Sequence, residues 1–204
     1  LMRILIDNEF FKNLNLIEEI LPKKSFEKSF FVGNEITTSE IKSADAILCR
    51  SVTKLNQEFL KDSQISVIAS ATSGTDHISD DLINSKNYQT FFSSGANAWS
   101  VVHYVMAVIE TLIAKELFSS EKSVGIIGHG NIGKRLGKTL SAFNIPWHAN
   151  DPFLEDKNLV DLETIFNCDL ISIHTPFTRE GEHPTYKLIN KNNIKSLTNK
   201  IIIN

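Results

Sequence analysis

The chain has 204 residues, a formal net charge of −3, and 42% hydrophobic against 22% charged residues, an ordinary globular composition. The slight negative balance leaves no electrostatic case for nucleic acid or for an anionic membrane surface. Its two cysteines, Cys49 and Cys168, lie far apart without metal-ligand spacing, so they read as buried, reduced thiols and no metal site is expected.

The opening residues, 1–7, read as a short strand ending in an acid rather than as a leader. Residues 3–6, 46–49, 67–69 and 89–92 are bounded apolar runs that suit strands, and 10–21, 38–42 and 56–60 carry helical spacing between them. That alternation predicts a parallel sheet with its connections on both faces, and nothing in it resembles a phosphate loop. At Ser93-Ser94-Gly95-Ala96-Asn97 the chain breaks, and Asn97 suits a helix cap. The next helix has Val101, Val105, Ile109 and Ile113 on one stripe, widened by Val102, Met106, Val108 and Leu112. A helix apolar over so much of its surface is expected to be buried, in a second core, between domains or at a dimer interface. His103 and Glu110 interrupt it, and it is too short to span a bilayer, so a cytoplasmic protein is expected.

The most informative stretch follows. An apolar strand, Val124-Gly125-Ile126-Ile127, runs into Gly128-His129-Gly130-Asn131-Ile132-Gly133, which opens a helical run to Asn144. In such a pattern Gly128 permits the tight turn, Gly130 lets the backbone approach a pyrophosphate, and Gly133 lets the helix lie close to the strand. The helix amino end adds free N–H groups and the positive end of its dipole. Asp151 stands about eighteen residues after Gly133, at the end of the next strand, where a ribose hydroxyl is gripped. The glycines alone could form a turn in an unrelated fold; with strand, helix, strand and acid around them they point to a dinucleotide site. Residues 162–166 then suit a helix and 170–174 a strand, which Thr175-Pro176 ends. A polar loop over 178–185, a short helix near 190–196 and a strand at 201–204 complete the pattern. A doubly wound domain has about six parallel strands; about four are visible here, so the second domain is expected to be the first part of a longer one.

Five loops occur in an order that resembles the D-isomer-specific 2-hydroxyacid dehydrogenases: Arg50-Ser51-Val52-Thr53-Lys54, residues 71–77, Gly95-Ala96-Asn97-Ala98, residues 125–133, and His174-Thr175-Pro176. The resemblance covers the whole chain. It implies an α/β protein with a flavodoxin-like substrate-binding domain over 1–94. A Rossmann-type NAD-binding domain over 95–204 would follow, incomplete at its carboxyl end. It further implies oxidation of a hydroxy acid at C2 by hydride transfer to NAD. Residue by residue, it places Ser51, Thr72, Ser73 and Gly74 on the substrate, and Gly128, Gly130, Asn131, Ile132 and Gly133 on the pyrophosphate. It places Asp151 on the adenosine ribose and Thr175 at a further cofactor contact. The 50–54 run, the 72–77 loop and the lengthened loop around Gly181 narrow the resemblance to a branch acting in vitamin B6 synthesis. The small-molecule substrate of that branch is a phosphorylated four-carbon hydroxy acid. Arg50, with Lys54 nearby, is the candidate phosphate cation, since charge-assisted contacts are the strong ones.

Each of these residues also has a plain structural role available. Ser51 and Thr72 could form turns, Asp76 and Asn97 cap helices, Thr175 end a strand, and Arg50 pair with a carboxylate such as Asp76. His103 stands where the family usually has glutamate, and Ala96 where close relatives often have cysteine; neither position is chemically central. His77, His129, His148 and His174 are assigned no catalytic role. The family's arginine, glutamate and histidine would fall beyond Asn204, so no catalytic residue is assigned within the chain. Residues 1–204 alone are expected to be inactive, and the complete protein a homodimer. Two further readings stay open: the same chemistry on another D-2-hydroxy acid such as 3-phosphoglycerate, and a non-catalytic NAD-sensing interaction module.

Overall fold

Five short strands in the first half of the chain pair side by side, all parallel: β1 (Met2–Asp7), β2 (Phe26–Phe31), β3 (Ala46–Cys49), β4 (Val67–Ser70) and β5 (Gln89–Phe92). Their order, β2-β1-β3-β4-β5, is the flavodoxin-like one, with a switch of direction between β1 and β3. The computed structural model describes residues 1–10 and 14–204. Helices α1 (Leu14–Ile20), α2 (Thr38–Ser43) and α3 (Asp80–Ile83) connect these strands. Because side chains alternate along a strand, Leu5, Ile47 and Ile68 join one core with Leu82, while Ile4, Ile6 and Ala46 join a second with Ile17. A capping box opens α2: the Thr37 hydroxyl accepts from Glu40 N, and the Glu40 carboxylate accepts from Thr37 N.

Three elements here differ from the sequence expectation. Strand β2 has two charged residues and little continuous burial, so no apolar run announces it; it sits at the sheet edge, where only one neighbour must be satisfied. Residues 56–60 form turns rather than a helix, because the Asn56 side chain accepts from Phe59 N in an Asx-type turn. The expected helix over 10–21 is observed as α1; positions 11–13 lie outside the described residues.

The second half holds α4 (Ala98–Ala114), β6 (Val124–Ile127), α5 (Asn131–Ala142), β7 (Trp147–Asn150), α6 (Leu162–Asn167), β8 (Leu170–Ile173) and β9 (Ile201–Ile203). Its four strands are parallel in the order β7-β6-β8-β9, switching between β6 and β8. One face packs Val124, Ile126 and Leu170 against Val102, Val105 and Ile109 of α4 and Leu136 and Leu140 of α5. The other packs Ile127 and Ile171 against Ile165 and Phe166 of α6. The chain thus divides into two units, Leu1–Ser94 and Gly95–Asn204. Among the described residues no helix is long and apolar enough to cross a membrane.

Helix α4 is buried on one face only. Its inner face is Ala98, Val102, Val105, Met106 and Ile109, whereas Trp99, Tyr104 and Ile113 are exposed. The expected stripe repeats every four residues, which drifts about 40° per step on a helix of 3.6 residues per turn, so its ends rotate off the face. The observed face mixes steps of three and four and does not drift. The short helix expected near 190–196 is a 3-10 turn at Ile194–Leu197.

Candidate functional site

The glycine loop is built by close approach. Gly128 takes φ +93°, and a Cβ there would stand 2.7 Å from the carbonyl oxygen of His174 at the end of β8. A Cβ on Gly133 would meet the carbonyl oxygen of Gly128 at 2.1 Å, so the first turn of α5 lies directly on the strand end. Gly130 faces the opposite situation, with nothing within 4 Å of where its Cβ would point. That open side, beside the uncapped amino end of α5, is the cradle a pyrophosphate needs, and its residues fit a dinucleotide.

A cleft of about 660 Å³ adjoins this loop, at the carboxyl ends of β6, β7 and β8. Gly128, Gly130, Asp151 and Thr175 all line it. The location beyond the strand ends at a switch of sheet order is where open α/β sheets take their ligands. Asp151 is turned toward the loop: Oδ2 accepts from His129 N at 2.9 Å and Oδ1 from Phe153 N at 3.2 Å. Its carboxylate is therefore held on the cleft wall by two backbone donors. Asn131 is exposed and tied to Arg135, whose Nη1 donates to the Asn131 carbonyl at 2.6 Å. Ile132 packs against the core, so only its backbone is placed for a phosphate. The His129 ring stacks on Trp147, with centroids 5.9 Å apart, and its buried Nδ1 has no hydrogen-bond partner among the described residues.

Several residues around the cleft were given no site role from the sequence. His174 lines it, shares a 2.9 Å hydrogen bond with the Ser172 hydroxyl, and burial holds its pKa down at about 4. Phe153 and His183 meet edge to face at 5.4 Å, joining the segment after Asp151 to the 178–185 loop. Thr178 and Thr185 pin the base of that loop through backbone and hydroxyl bonds. Away from the cleft, Gly137 lets α5 lie on Trp147, where a Cβ would stand 2.8 Å from the indole. The loop itself was read as a polar segment lengthened around Gly181; the paired threonines and the aromatic after the acid are the sequence signals that could have tied it to the cleft.

The substrate candidates lie in the other unit, also at strand carboxyl ends. Arg50 and Ser51 follow β3, and Thr72, Ser73 and Gly74 follow β4. The Thr72 hydroxyl donates to Gly74 O at 3.2 Å and lies 2.8 Å from the Ser70 hydroxyl; Ser73 donates to Ser93 O at 3.3 Å. Ser51 is exposed in a turn that Thr53 pins by donating to Gly33 O at 2.8 Å. Arg50 pairs not with Asp76 but with Asp7 at the end of β1, Nε to Oδ2 3.0 Å. Neither atom has an aligned hydrogen-bond partner among the described residues, so the contact is a charge pair rather than a directed bond. Asp76 caps no helix: the residue before α3 is Ser79. Asn97 stands at the residue before α4, but its side chain makes no cap hydrogen bond to the helix. His103 is exposed, its ring 6.1 Å from Trp99. Both cysteines are buried and free, and burial pushes Cys49 up to about 11, which leaves it an unreactive thiol.

The family model described as D-isomer specific 2-hydroxyacid dehydrogenase, NAD binding domain, matches residues 110–204. An erythronate-4-phosphate dehydrogenase of Wigglesworthia glossinidia brevipalpis is 37% identical over 207 residues, covering 99% of this chain and 53% of that protein. Another, from Ruthia magnifica subsp. Calyptogena magnifica, is 38% identical over 176 residues, covering 84% of this chain and 51% of that protein. The NAD+-bound structure of 3-phosphoglycerate dehydrogenase from Entamoeba histolytica is similar with a TM-score of 0.74 at 26% identity, over 96% of this chain and 68% of that one. A D-lactate dehydrogenase from Aquifex aeolicus, complexed with NAD and lactic acid, shares the fold at 22% identity and a TM-score of 0.74, over 95% of this chain and 66% of that one. The chain spans about half the length of the curated relatives it matches. Residues 110–204 thus match the NAD-binding domain of the D-isomer-specific 2-hydroxyacid dehydrogenases, and over nearly its whole length the chain is similar to a protein named erythronate-4-phosphate dehydrogenase.

Proposed function

We propose that the complete protein oxidises 4-phospho-D-erythronate to its 2-oxo acid, as a cytoplasmic homodimer serving vitamin B6 synthesis. The observation that carries this reading is the 37% identity over 99% of the chain to a relative named for that substrate. When bound, NAD supplies the acceptor for the hydride that leaves C2. In this reading the open face of Gly130 and the first turn of α5, with the backbone of Asn131 and Ile132, take its pyrophosphate. Asp151 takes the adenosine ribose, and Thr175 a further part of the cofactor. Ser51, Thr72, Ser73 and Gly74 hold the substrate carboxylate with hydroxyl and N–H donors. The Arg50 guanidinium, whose Nε faces Asp7, offers its remaining nitrogens to the phosphate. The hydroxyl proton goes to a base, and the forming carbonyl to a cation, which this reading places outside residues 1–204.

The nearest competing substrate is 3-phosphoglycerate, which the similarity to the Entamoeba histolytica structure favours. A kinetic panel on the complete protein separates them: 4-phosphoerythronate, erythronate, 3-phosphoglycerate and glycerate, with wild type and Arg50→Ala. The proposal expects 4-phosphoerythronate to have the highest kcat/KM and erythronate to fall at least tenfold below it, as a charge-assisted contact of about 1.5–3 kcal/mol requires. Equal values for erythronate and its ester would overturn the phosphate reading. No oxidation of any of the four would favour a non-catalytic NAD-responsive module.

A further inference from the structure

A buried histidine stands behind the substrate turn. His77 is 5% exposed and lies 2.9 Å, through Nε2, from the hydroxyl of Ser70, which is 3% exposed. The Ser70 hydroxyl is 2.8 Å from that of Thr72, and Thr72 donates onward to the carbonyl of Gly74 at 3.2 Å. Each hydroxyl has one proton, so the direction of the whole chain is fixed from its far end. Thr72 uses its proton on Gly74 O, an obligate acceptor; Ser70 must then give its proton to Thr72, and His77 must donate Nε2–H to Ser70.

The other ring nitrogen points the same way. His77 Nδ1 is buried and has no hydrogen-bond partner among the described residues. On an Nε2–H tautomer that atom is only an unfilled lone pair, whereas the opposite tautomer would bury an unpaired N–H, a costlier defect. Protonation would create the same buried N–H, in keeping with a pKa that burial lowers while Asp76 opposes it weakly. The Cys49 thiol also faces Ser70, and burial keeps it protonated, so Ser70 meets a weak thiol acceptor there rather than a thiolate that would compete with Thr72 for its proton.

We propose that His77 and Ser70 are positioning residues that hold the Thr72 hydroxyl as a donor toward the substrate carboxylate. This rests on the reading above that Thr72 contacts substrate. A lone threonine hydroxyl rotates among three wells and can present a lone pair to an anion. Here Ser70 occupies one of its two lone pairs, and the proton is free to swing from Gly74 O to an incoming carboxylate with no change elsewhere in the relay. The arrangement selects an anionic acceptor over a neutral donor at that point.

Two measurements on the complete protein test this. The first is the 15N chemical-shift pattern of labelled histidine at neutral pH, with His77 assigned by its loss in His77→Gln. The neutral Nε2–H tautomer is expected; Nδ1–H or a charged ring overturns the relay whatever the enzyme's substrate. The second is a set of kinetic constants and NAD dissociation constants for Ser70→Ala, Thr72→Val and the double variant. Ser70→Ala is expected to raise KM for the preferred hydroxy acid about five- to tenfold, with kcat and NAD affinity within twofold. In the Thr72→Val background the same change is expected to have under twofold effect, since the relay acts only through Thr72. Independent, multiplying effects, or a loss of NAD affinity with KM, would show a packing role and overturn the proposal. If the preferred acid is not 4-phosphoerythronate, the substrate assignment fails while the relay is judged on the acid that is used. If the Nε2–H tautomer is found but no 2-hydroxy acid is oxidised, the relay stands as structure and its role in recognition falls.

Discussion

Removing Arg50 should cost the protein more in stability than an ordinary surface substitution, because of what it leaves behind. Asp7 is fully buried, while the Arg50 side chain is 30% exposed, and the two charges approach to 3.0 Å. At an effective dielectric of ~20 that separation is an attraction of roughly 5 kcal/mol before desolvation is subtracted. Breaking a buried pair by removing one partner typically costs about 3–5 kcal/mol, since the remaining charge stays unsolvated. Partial exposure of Arg50 lets water screen the survivor, so a lower figure, about 2–3 kcal/mol, is expected for Arg50→Ala. The double variant Asp7→Asn with Arg50→Met should recover most of it: no charge remains, and the asparagine oxygen can still accept from Glu9 N as Asp7 Oδ1 does. Urea denaturation of the complete protein, followed by circular dichroism, reads both. With a denaturant slope of about 1–3 kcal/mol per molar, the Arg50→Ala midpoint should fall by about 0.7–3 M. A fall under about 0.3 M, or a double variant as unstable as the two single variants added together, would refute the argument from burial.

Four further outcomes follow from the nucleotide-side unit. Gly133→Ala should weaken NAD binding by more than about a hundredfold and lower the melting temperature, because its Cβ must displace a carbonyl oxygen 2.1 Å away. Gly130→Ala has nothing within 4 Å to displace, so melting should move by no more than a degree or two while the NAD dissociation constant still rises in calorimetry. NAD should bind several-fold to tenfold more tightly than NADP, since Asp151 is held on the cleft wall by two N–H donors and even about 1 kcal/mol of repulsion of a 2′-phosphate suffices; Asp151→Asn should narrow the ratio, and equal affinities in wild type would refute it. Burial lowers the folded-state pKa of His174 to about 4, below its ordinary value near 6.5, so between those limits the unfolded chain binds the extra proton. Stability should therefore fall as pH drops from about 6.5 to about 4, and His174→Gln should flatten that part of the urea-midpoint profile.

The nucleotide stretch was legible because its requirements are local. A glycine that must take φ +93° or admit a carbonyl at 2.1 Å is written at one position and needs no partner to be recognised. The parallel character of both sheets followed from alternation, since parallel neighbours demand a helix or loop between them. Helix α4 shows the limit of counting: the apolar residues found the helix and most of its inner face, Val102, Val105, Met106 and Ile109, but the four-residue stripe ran out to Val101 and Ile113 and missed Ala98. The Asp7–Arg50 pair and the His77 relay were not legible at all. Both need the register of the sheet, in which Ile6 lies beside Leu48 and Leu48 beside Ala69, before Asp7 comes level with the start of the 50–54 turn. A register is a long-range property, and the acid at the end of β1 is only a strand terminus until it is known.

The two switch points also explain why one unit carries a charge pair where the other carries glycines. At a switch the connections leave neighbouring strands in opposite directions, and a crevice opens beyond their carboxyl ends. Between β1 and β3 that crevice receives the side chains of Asp7 and Arg50, which meet across it. Filled in this way it leaves only the rim, Ser51 and the 72–74 loop, to present short donors, a surface suited to a small anion. Between β6 and β8 the corresponding position is Gly128, against the His174 carbonyl, and no side chain fills the crevice from that strand. The space so left continues into the 660 Å³ cleft, large enough for an extended ligand. A substitution that gave Gly128 a side chain should therefore abolish NAD binding without touching any group that contacts the cofactor by charge or hydrogen bond. Gly128→Ala is the sharpest form of it, combining a Cβ 2.7 Å from a carbonyl oxygen with a positive φ that alanine adopts at a cost of about 1–2 kcal/mol. A Gly128→Ala protein that still bound NAD within threefold of wild type would mean that the crevice, for all its glycine, is not where the cofactor lies.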